Sequence, residues 1–184
     1  MLNKVVNFIL FNALWPVCVI GAAKGLVWPG IALVAVYMAW QLHPANRVKG
    51  DASLVALALV VGMILDSLWV RLGLFEYAMP WPSAAFAPVW IAALWIGFAL
   101  ALNHTLAWTQ RWPWQVGLAF IVLSPFSYFM AQRLGAVEWL APWWQVVLAT
   151  GLSWMLFIPY LLQRAIAWRQ AESELRWQQE QELV

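Results

Sequence analysis

Long apolar stretches alternate along this chain with short polar segments that contain Pro and Gly. The clearest stretch, VALALVVGMILDSLWVRLGLF at 55–75, has about the 20 residues that an α-helix needs to cross a bilayer. The whole pattern predicts six membrane-spanning helices, at about 5–23, 26–42, 53–72, 86–106, 114–131 and 142–163. The first stretch is longer than the apolar core of a signal peptide, so we expect an uncleaved first helix. The predicted fold class is an all-α bundle of six transmembrane helices.

The composition favours a bilayer as the solvent of this bundle. Of the 184 residues, 65% are hydrophobic and 10% are charged, whereas soluble domains are about 25% charged. A net charge of +2 is too small to indicate nucleic acid as a partner. Because the sequence has one cysteine and two histidines, we expect no disulfide framework, no metal centre and no cofactor.

The distribution of Lys and Arg predicts the orientation of the bundle. With the N-terminus in the cytoplasm, seven of these residues lie on the cytoplasmic side and three on the opposite side. An even number of spans then places the C-terminus in the cytoplasm as well, which is the N-in/C-in topology. The polar segment 164–184 is predicted to continue the sixth helix into the cytoplasm as a short extension.

Asp66 is the one carboxylate inside the third predicted span. An ionisable side chain in a membrane costs roughly 2.5–3.5 kcal/mol unless it is paired, and it marks a candidate functional site. At 1.5 Å per residue, Asp66 lies about 20 Å from the cytoplasmic end of its helix, and His104 lies about 15–20 Å below it. This separation excludes a direct pair of the two side chains. No Gly-rich phosphate loop, HExxH or GxSxG motif is present, so no catalytic residue is assigned.

The same measure of depth identifies candidate neighbours of Asp66 on other helices. Hydroxyl side chains of spans five and six reach about the same height, and an arginine lies about 7.5 Å above it. If those helices face one another, they form a polar pocket in the outer half of the membrane. The predicted ligand-binding residues are Asp66, Ser127, Tyr128, Thr150 and Arg71.

Three functions are open for such a pocket. Asp66 could anchor a lipid or an acyl group, and the protein would then be associated with membrane-lipid modification. It could instead be the coupling carboxylate of a small transporter or carrier. In the third interpretation Asp66 bonds to Tyr128, Ser127 or Arg71 and holds together a structural or assembly protein that has no ligand site. Whether the protein is an enzyme stays open.

A second polar cluster is predicted near the inner face of the membrane. Asn103, His104 and Thr105 follow one another at the end of span four, and Asn7 of span one lies at the level of Asn103. Hydrogen bonds between helices are the simplest interpretation of these residues.

Two further patterns concern packing. On span four, Ala93, Gly97 and Ala101 recur every four residues, which lets a neighbouring helix approach closely, within one chain or between the copies of a homo-oligomer. Many of the sixteen Trp residues fall at predicted span ends, as in interfacial belts. Trp95 and Trp154 lie deeper and need packing partners, and an aromatic ligand cage is the alternative interpretation.

Four segments resemble a family of short multi-pass bacterial inner-membrane proteins of unknown function. They are NFILFNALWPVCV near the start, GMILDSLW in span three, PVWIAALWIGFAL in span four and LSPFSYFMAQRLGA in span five. The resemblance implies a location in the bacterial inner membrane. Members often accompany genes of the cyclopropane-fatty-acid-synthase type, which implies membrane lipids and lipid-modifying proteins as partners. The matching residues are Asp66, Trp90, Trp95, Pro125 and Tyr128, none with an assigned role.

Overall fold

The computed structural model describes residues 2–182, and the side chains of 172–180 and 182 lie outside the description. Six α-helices make up most of this part of the chain. Their bounds are α1 Leu2–Ala23, α2 Trp28–Gln41, α3 Asp51–Arg71, α4 Val89–Leu102, α5 Pro113–Arg133 and α6 Trp143–Glu182. A 3-10 turn, Ala107–Arg111, links α4 to α5. The predicted polar extension continues α6 as far as Glu182, and residues 183 and 184 lie outside the described residues.

Four of the described helices, α1, α3, α5 and α6, are long and apolar enough to cross a membrane. The other two, α2 and α4, have 14 residues each and are about 21 Å long, which is less than the roughly 30 Å of a hydrocarbon core. Both are shorter than the spans predicted for them, 26–42 and 86–106.

The short helix α4 lies at the centre of the first half of the bundle. It packs against α1, α2 and α3, whereas α5 packs mainly on α6. Close approach to α1 depends on Gly97, because a Cβ at that position would lie 2.1 Å from Cδ2 of Leu14. The predicted small-residue face of α4 therefore packs within the chain. This arrangement leaves space between the α1–α4 pair and the α5–α6 pair.

A two-stranded antiparallel ribbon closes one end of the bundle, which we call the ribbon end. Strand β1, Phe75–Tyr77, follows α3, and strand β2, Val137–Trp139, follows α5. Tyr77 pairs with Val137 in this register. The all-α prediction did not include these strands. They tie the ends of α3 and α5 together, and α1, α3 and α5 all run towards this end.

Candidate functional site

Asp66 is completely buried near the ribbon end and accepts three hydrogen bonds from side chains. The hydroxyl groups of Tyr77 and Tyr128 donate to Oδ1 over 2.5 Å and 2.7 Å, and Nε1 of Trp95 donates to Oδ2 over 2.7 Å. The three donors belong to β1, α5 and α4. A single carboxyl group of α3 thus connects four elements of the fold.

Tyr77 reaches Asp66 because the ribbon folds back over the end of α3. The Phe75 ring in the same strand stacks on Tyr128 with a centroid distance of 4.9 Å and contacts Trp69 edge-on. Burial, and then the neighbouring Asp66, raise the pKa of Tyr77 well above its ordinary value. The hydroxyl group therefore keeps the proton that it donates to the carboxyl.

Trp95 reaches Asp66 because α3 has a glycine one turn earlier. A Cβ at Gly62 would lie 2.2 Å from atoms of the Trp95 ring, so only glycine leaves room for the indole between α3 and α4. The other face of this ring stacks on Trp154 at a centroid distance of 4.6 Å. Packing on both sides fixes the direction in which the indole N–H points.

Gly62→Ala is therefore expected to displace Trp95 and break its bond to Asp66. Overpacking of this kind costs roughly 1–3 kcal/mol, which thermal unfolding of the detergent-solubilised protein should detect. Ala56→Val, at an exposed position of the same helix, is the control and should unfold like the wild type. If both variants unfold at the wild-type temperature, Gly62 does not determine the position of the indole.

Asp66 and Tyr128 line a cavity of about 450 Å³ between α1, α4, α5 and α6. Its size falls within the roughly 300–1,000 Å³ of small-molecule sites. Most of its wall consists of aliphatic and aromatic side chains, and none of the described residues that line it is Lys, Arg or His. Asn12 and Leu123 line the cavity and are also exposed, Leu123 to 52%. The cavity therefore reaches the surface of the bundle between α1 and α5.

Unused hydrogen-bonding groups line the inner part of this cavity. Oγ of Ser124 is buried, with the residue only 3% exposed, and it has no hydrogen-bond partner among the described residues. Nε1 of Trp154 likewise has none. Ser127 accepts a hydrogen bond from Nε1 of Trp15 over 3.1 Å, and its own proton stays free to donate. These groups could bind a polar part of a ligand.

The five predicted site residues lie in different surroundings. Asp66, Ser127 and Tyr128 come together at the cavity. Thr150 is buried but donates to the Val146 carbonyl group of its own helix and does not line the cavity. Arg71 is exposed, with its guanidinium group 4.6 Å from the centroid of the Phe86 ring. Three contributors were not predicted as ligand-binding residues, namely Tyr77, Trp95 and Ser124.

A second buried cluster, the Asp51 network, occupies the opposite end of the bundle. Nε2 of His104 lies 2.9 Å from Oδ2 of Asp51, which also accepts a bond from the Val48 N–H, and Asn103 donates to Oδ1 over 2.9 Å. Gln41 lies 3.0 Å from the same imidazole nitrogen. Asp51 is the first residue of α3, where the helix dipole favours a negative charge.

Side chains that bond to this network, Asn7 and Gln110, also bind carbonyl groups at the end of the short helix α4. Because α4 ends at Leu102, its last carbonyl groups have no partner within the helix. Asn7 donates to the Leu100 carbonyl over 3.1 Å, and Gln110 donates to the Leu102 carbonyl over 2.8 Å. Asn7 also accepts a bond from the Thr105 hydroxyl, in line with the predicted contact between helices. Neither Asp51 nor His104 lines the Asp66 cavity, so we assign this network to structure.

Comparison with known proteins identifies a family without identifying an activity. Residues 4–160 match a family described as "Protein of unknown function (DUF2878)". The matched segment covers nearly the whole chain and includes the Asp66 cavity. Searches of curated proteins and of solved structures found no significant match.

Proposed function

We propose that this chain, which belongs to the DUF2878 family of unknown function, is a multi-pass membrane protein that binds a lipid or another acyl amphiphile in the Asp66 cavity. The observation that carries the proposal is the cavity itself. Its wall is mostly hydrocarbon, its polar lining includes Asp66, Tyr128 and two serines, and it opens between α1 and α5. In a bilayer this opening would face the acyl chains, so a lipid could enter from the side.

The chemistry of the polar end favours a ligand with an uncharged polar group. No cation of the described chain lines the cavity, so the charge of an anionic headgroup would be buried there without a partner, which is costly. The free hydroxyl groups of Ser124 and Ser127 can donate to a carbonyl oxygen. An ester or a hydroxyl group of an acyl lipid therefore fits this end of the cavity.

The enclosed position of Asp66 favours a fixed part of the cavity wall over a coupling carboxylate. A transported proton or cation must reach the carboxyl from water, but all of the surface of Asp66 is covered. Its three donors lie within 2.7 Å and come from neutral side chains. These contacts support a fixed polar wall for a ligand that lies beside them.

We also propose the N-in/C-in topology with six spans, in the inner membrane of a bacterium. Alternation of the helix directions is consistent with it, since α2 and α4 run away from the ribbon end. The three basic residues Lys24, Arg71 and Arg133 lie at the ribbon end, which would face outwards. The resemblance to proteins that accompany lipid-modifying genes supports a role as a membrane partner in lipid modification.

Two tyrosine variants separate ligand binding from stability. Tyr77→Phe and Tyr128→Phe each remove one hydroxyl donor from Oδ1 of Asp66, and each should lower the free energy of unfolding by about 1 kcal/mol. Only Tyr128 lines the cavity. Tyr128→Phe should therefore lower binding of a photoreactive monoacylglycerol in nanodiscs about fivefold, whereas Tyr77→Phe should leave it unchanged.

The binding measurement is the yield of photo-crosslinked protein, determined by mass spectrometry. An excess of unlabelled monoacylglycerol should suppress the crosslink. Equal yields from the two variants, or a yield that the unlabelled lipid does not reduce, would contradict binding in this cavity.

A further inference from the structure

A second cavity of about 640 Å³ adjoins the first and continues it towards the opposite end of the bundle. It lies between α1, α4, α5, α6 and the 3-10 turn. Four side chains line both cavities, namely Phe11, Phe98, Phe120 and Leu123. The two spaces are therefore neighbours along one cleft between the two halves of the bundle.

Aromatic rings separate the two cavities in the middle of the cleft. Trp154 stacks on Phe120 with a centroid distance of 5.2 Å, and Phe98 contacts both rings edge-on at 5.5 Å and 6.2 Å. We call these three side chains the aromatic partition. Beside it, the wall formed by Phe11 and Leu123 belongs to both cavities. A chain that extends from one cavity into the other would pass beside these rings, along the wall that the two cavities share.

The second cavity offers almost no polar groups. The polar side chains in its wall are those of Thr109 and Gln115, besides the indoles of Trp108 and Trp112. The Thr109 hydroxyl group already donates to the Leu106 carbonyl over 2.6 Å, and Gln115 is exposed. No charged residue of the described chain lines the second cavity. The cleft thus has one polar end, at Asp66, and one apolar end.

The cleft is longer than one leaflet of a membrane. Tyr128 lines the first cavity and Trp112 the second, and at 1.5 Å per residue the α5 segment between them measures about 24 Å. Half of a hydrocarbon core of roughly 30 Å is about 15 Å. A ligand that fills the cleft therefore extends past the middle of the bilayer.

We propose that the ligand is a single-chain amphiphile whose acyl tail passes the aromatic partition and occupies the second cavity. This inference rests on the proposed function, because the polar group of the same molecule lies at Asp66. A short chain ends in the first cavity, and a long chain reaches the second. The second cavity therefore determines which chain lengths the protein retains.

A pair of α5 variants tests the position of the tail. Val116 is half-buried and lines only the second cavity, whereas Val122 is 70% exposed and lines neither. The probes are monoacylglycerols of 8 and 18 carbons with a diazirine at the terminal carbon, in nanodiscs. Val116→Phe should lower crosslinking of the long probe about tenfold through steric overlap and leave the short probe unchanged. Val122→Phe should change neither.

The crosslinked peptides distinguish a failure of the proposed function from a wrong position of the acyl tail. In the wild type the long probe should label the first turns of α5, near Ala119, and the short probe should label residues nearer Ser127. If neither probe is held by the wild type, the proposed function fails together with this inference. If both probes are held but Val116→Phe affects them equally, the ligand binds but its tail does not occupy the second cavity. Ala119→Phe, at an exposed residue of the same cavity wall, repeats the test should Val116→Phe not fold.

Discussion

Replacing Asp66 by leucine is expected to lower the free energy of unfolding by roughly 3 kcal/mol or more, because three buried donors lose their acceptor at about 1–3 kcal/mol each. The donors are the two tyrosine hydroxyls and the Trp95 N–H, which lie 2.5–2.7 Å from the carboxyl. Each comes from another element, so the loss should loosen the ribbon, α4 and α5 together. Thermal unfolding followed by size-exclusion chromatography in detergent measures the effect.

Asp66→Asn is the matched variant, since it keeps the shape of the side chain. Its amide oxygen can still accept from Tyr77 and Tyr128, but its amide nitrogen would face the N–H of Trp95, and two donors cannot bond. We expect a loss of about 1–3 kcal/mol, less than that of the leucine variant. An Asp66→Leu protein as stable as the wild type would refute the structural contribution of these bonds.

The asparagine variant also separates the three functions that the sequence leaves open. A folded Asp66→Asn protein that no longer retains monoacylglycerol, or that alters the lipid composition of the cell, would support the anchor. Altered uptake or proton sensitivity would favour a transporter instead. A loss of stability with unchanged lipid retention would leave Asp66 with a structural role alone.

Part of the Asp66 site follows from the sequence, because the constant rise per residue of a helix gives the depth of each side chain in the membrane. Counting residues along the predicted spans places Tyr128 and Ser127 at the height of Asp66, and both line the same cavity as Asp66. The position of Tyr77 could not be predicted in this way, because Tyr77 follows α3 in a segment that folds back over the helix as a strand. Trp95 carried a usable signal, since an indole N–H deep in a membrane needs an acceptor.

The ribbon and the short helices are harder to predict. Each strand has three residues, which is too few for a periodic pattern, and their pairing depends on the ends of α3 and α5 lying side by side. The span predicted for α4 continues to 106, past the last helical residue, Leu102. Hydropathy averaged over a window does not locate this end, because the apolar residues 106–108 follow the polar residues 103–105.

The contact between Asp51 and His104 could have been predicted from the sequence. Asp51 begins α3 and His104 follows the end of α4, and these two helices are antiparallel neighbours. Their near ends must therefore meet. The predicted third span begins at 53 and leaves Asp51 outside it, so the sequence predicts hydrogen bonds of Asn7 but not this pair.

Removal of Asp51 is the other change with a large expected effect. Asp51 is only 1% exposed, and each buried donor that loses its acceptor costs about 1–3 kcal/mol. Asp51→Ala leaves the donors of His104, Asn103 and the Val48 backbone without an acceptor. It should therefore destabilise the protein more than His104→Ala, which removes a single donor from the carboxylate. Thermal unfolding of both variants in detergent compares them.

The second histidine provides the control for this comparison. His43 is exposed, and His43→Ala should change the free energy of unfolding by less than about 0.5 kcal/mol. Because Asp51 lies away from the Asp66 cavity, folded His104→Ala protein should retain monoacylglycerol like the wild type. If it instead loses the ligand while its unfolding is unchanged, the network acts on binding and its assignment to structure is wrong. Asp66 in the wall of the cavity and Asp51 at the far end of α4 would then both affect ligand binding.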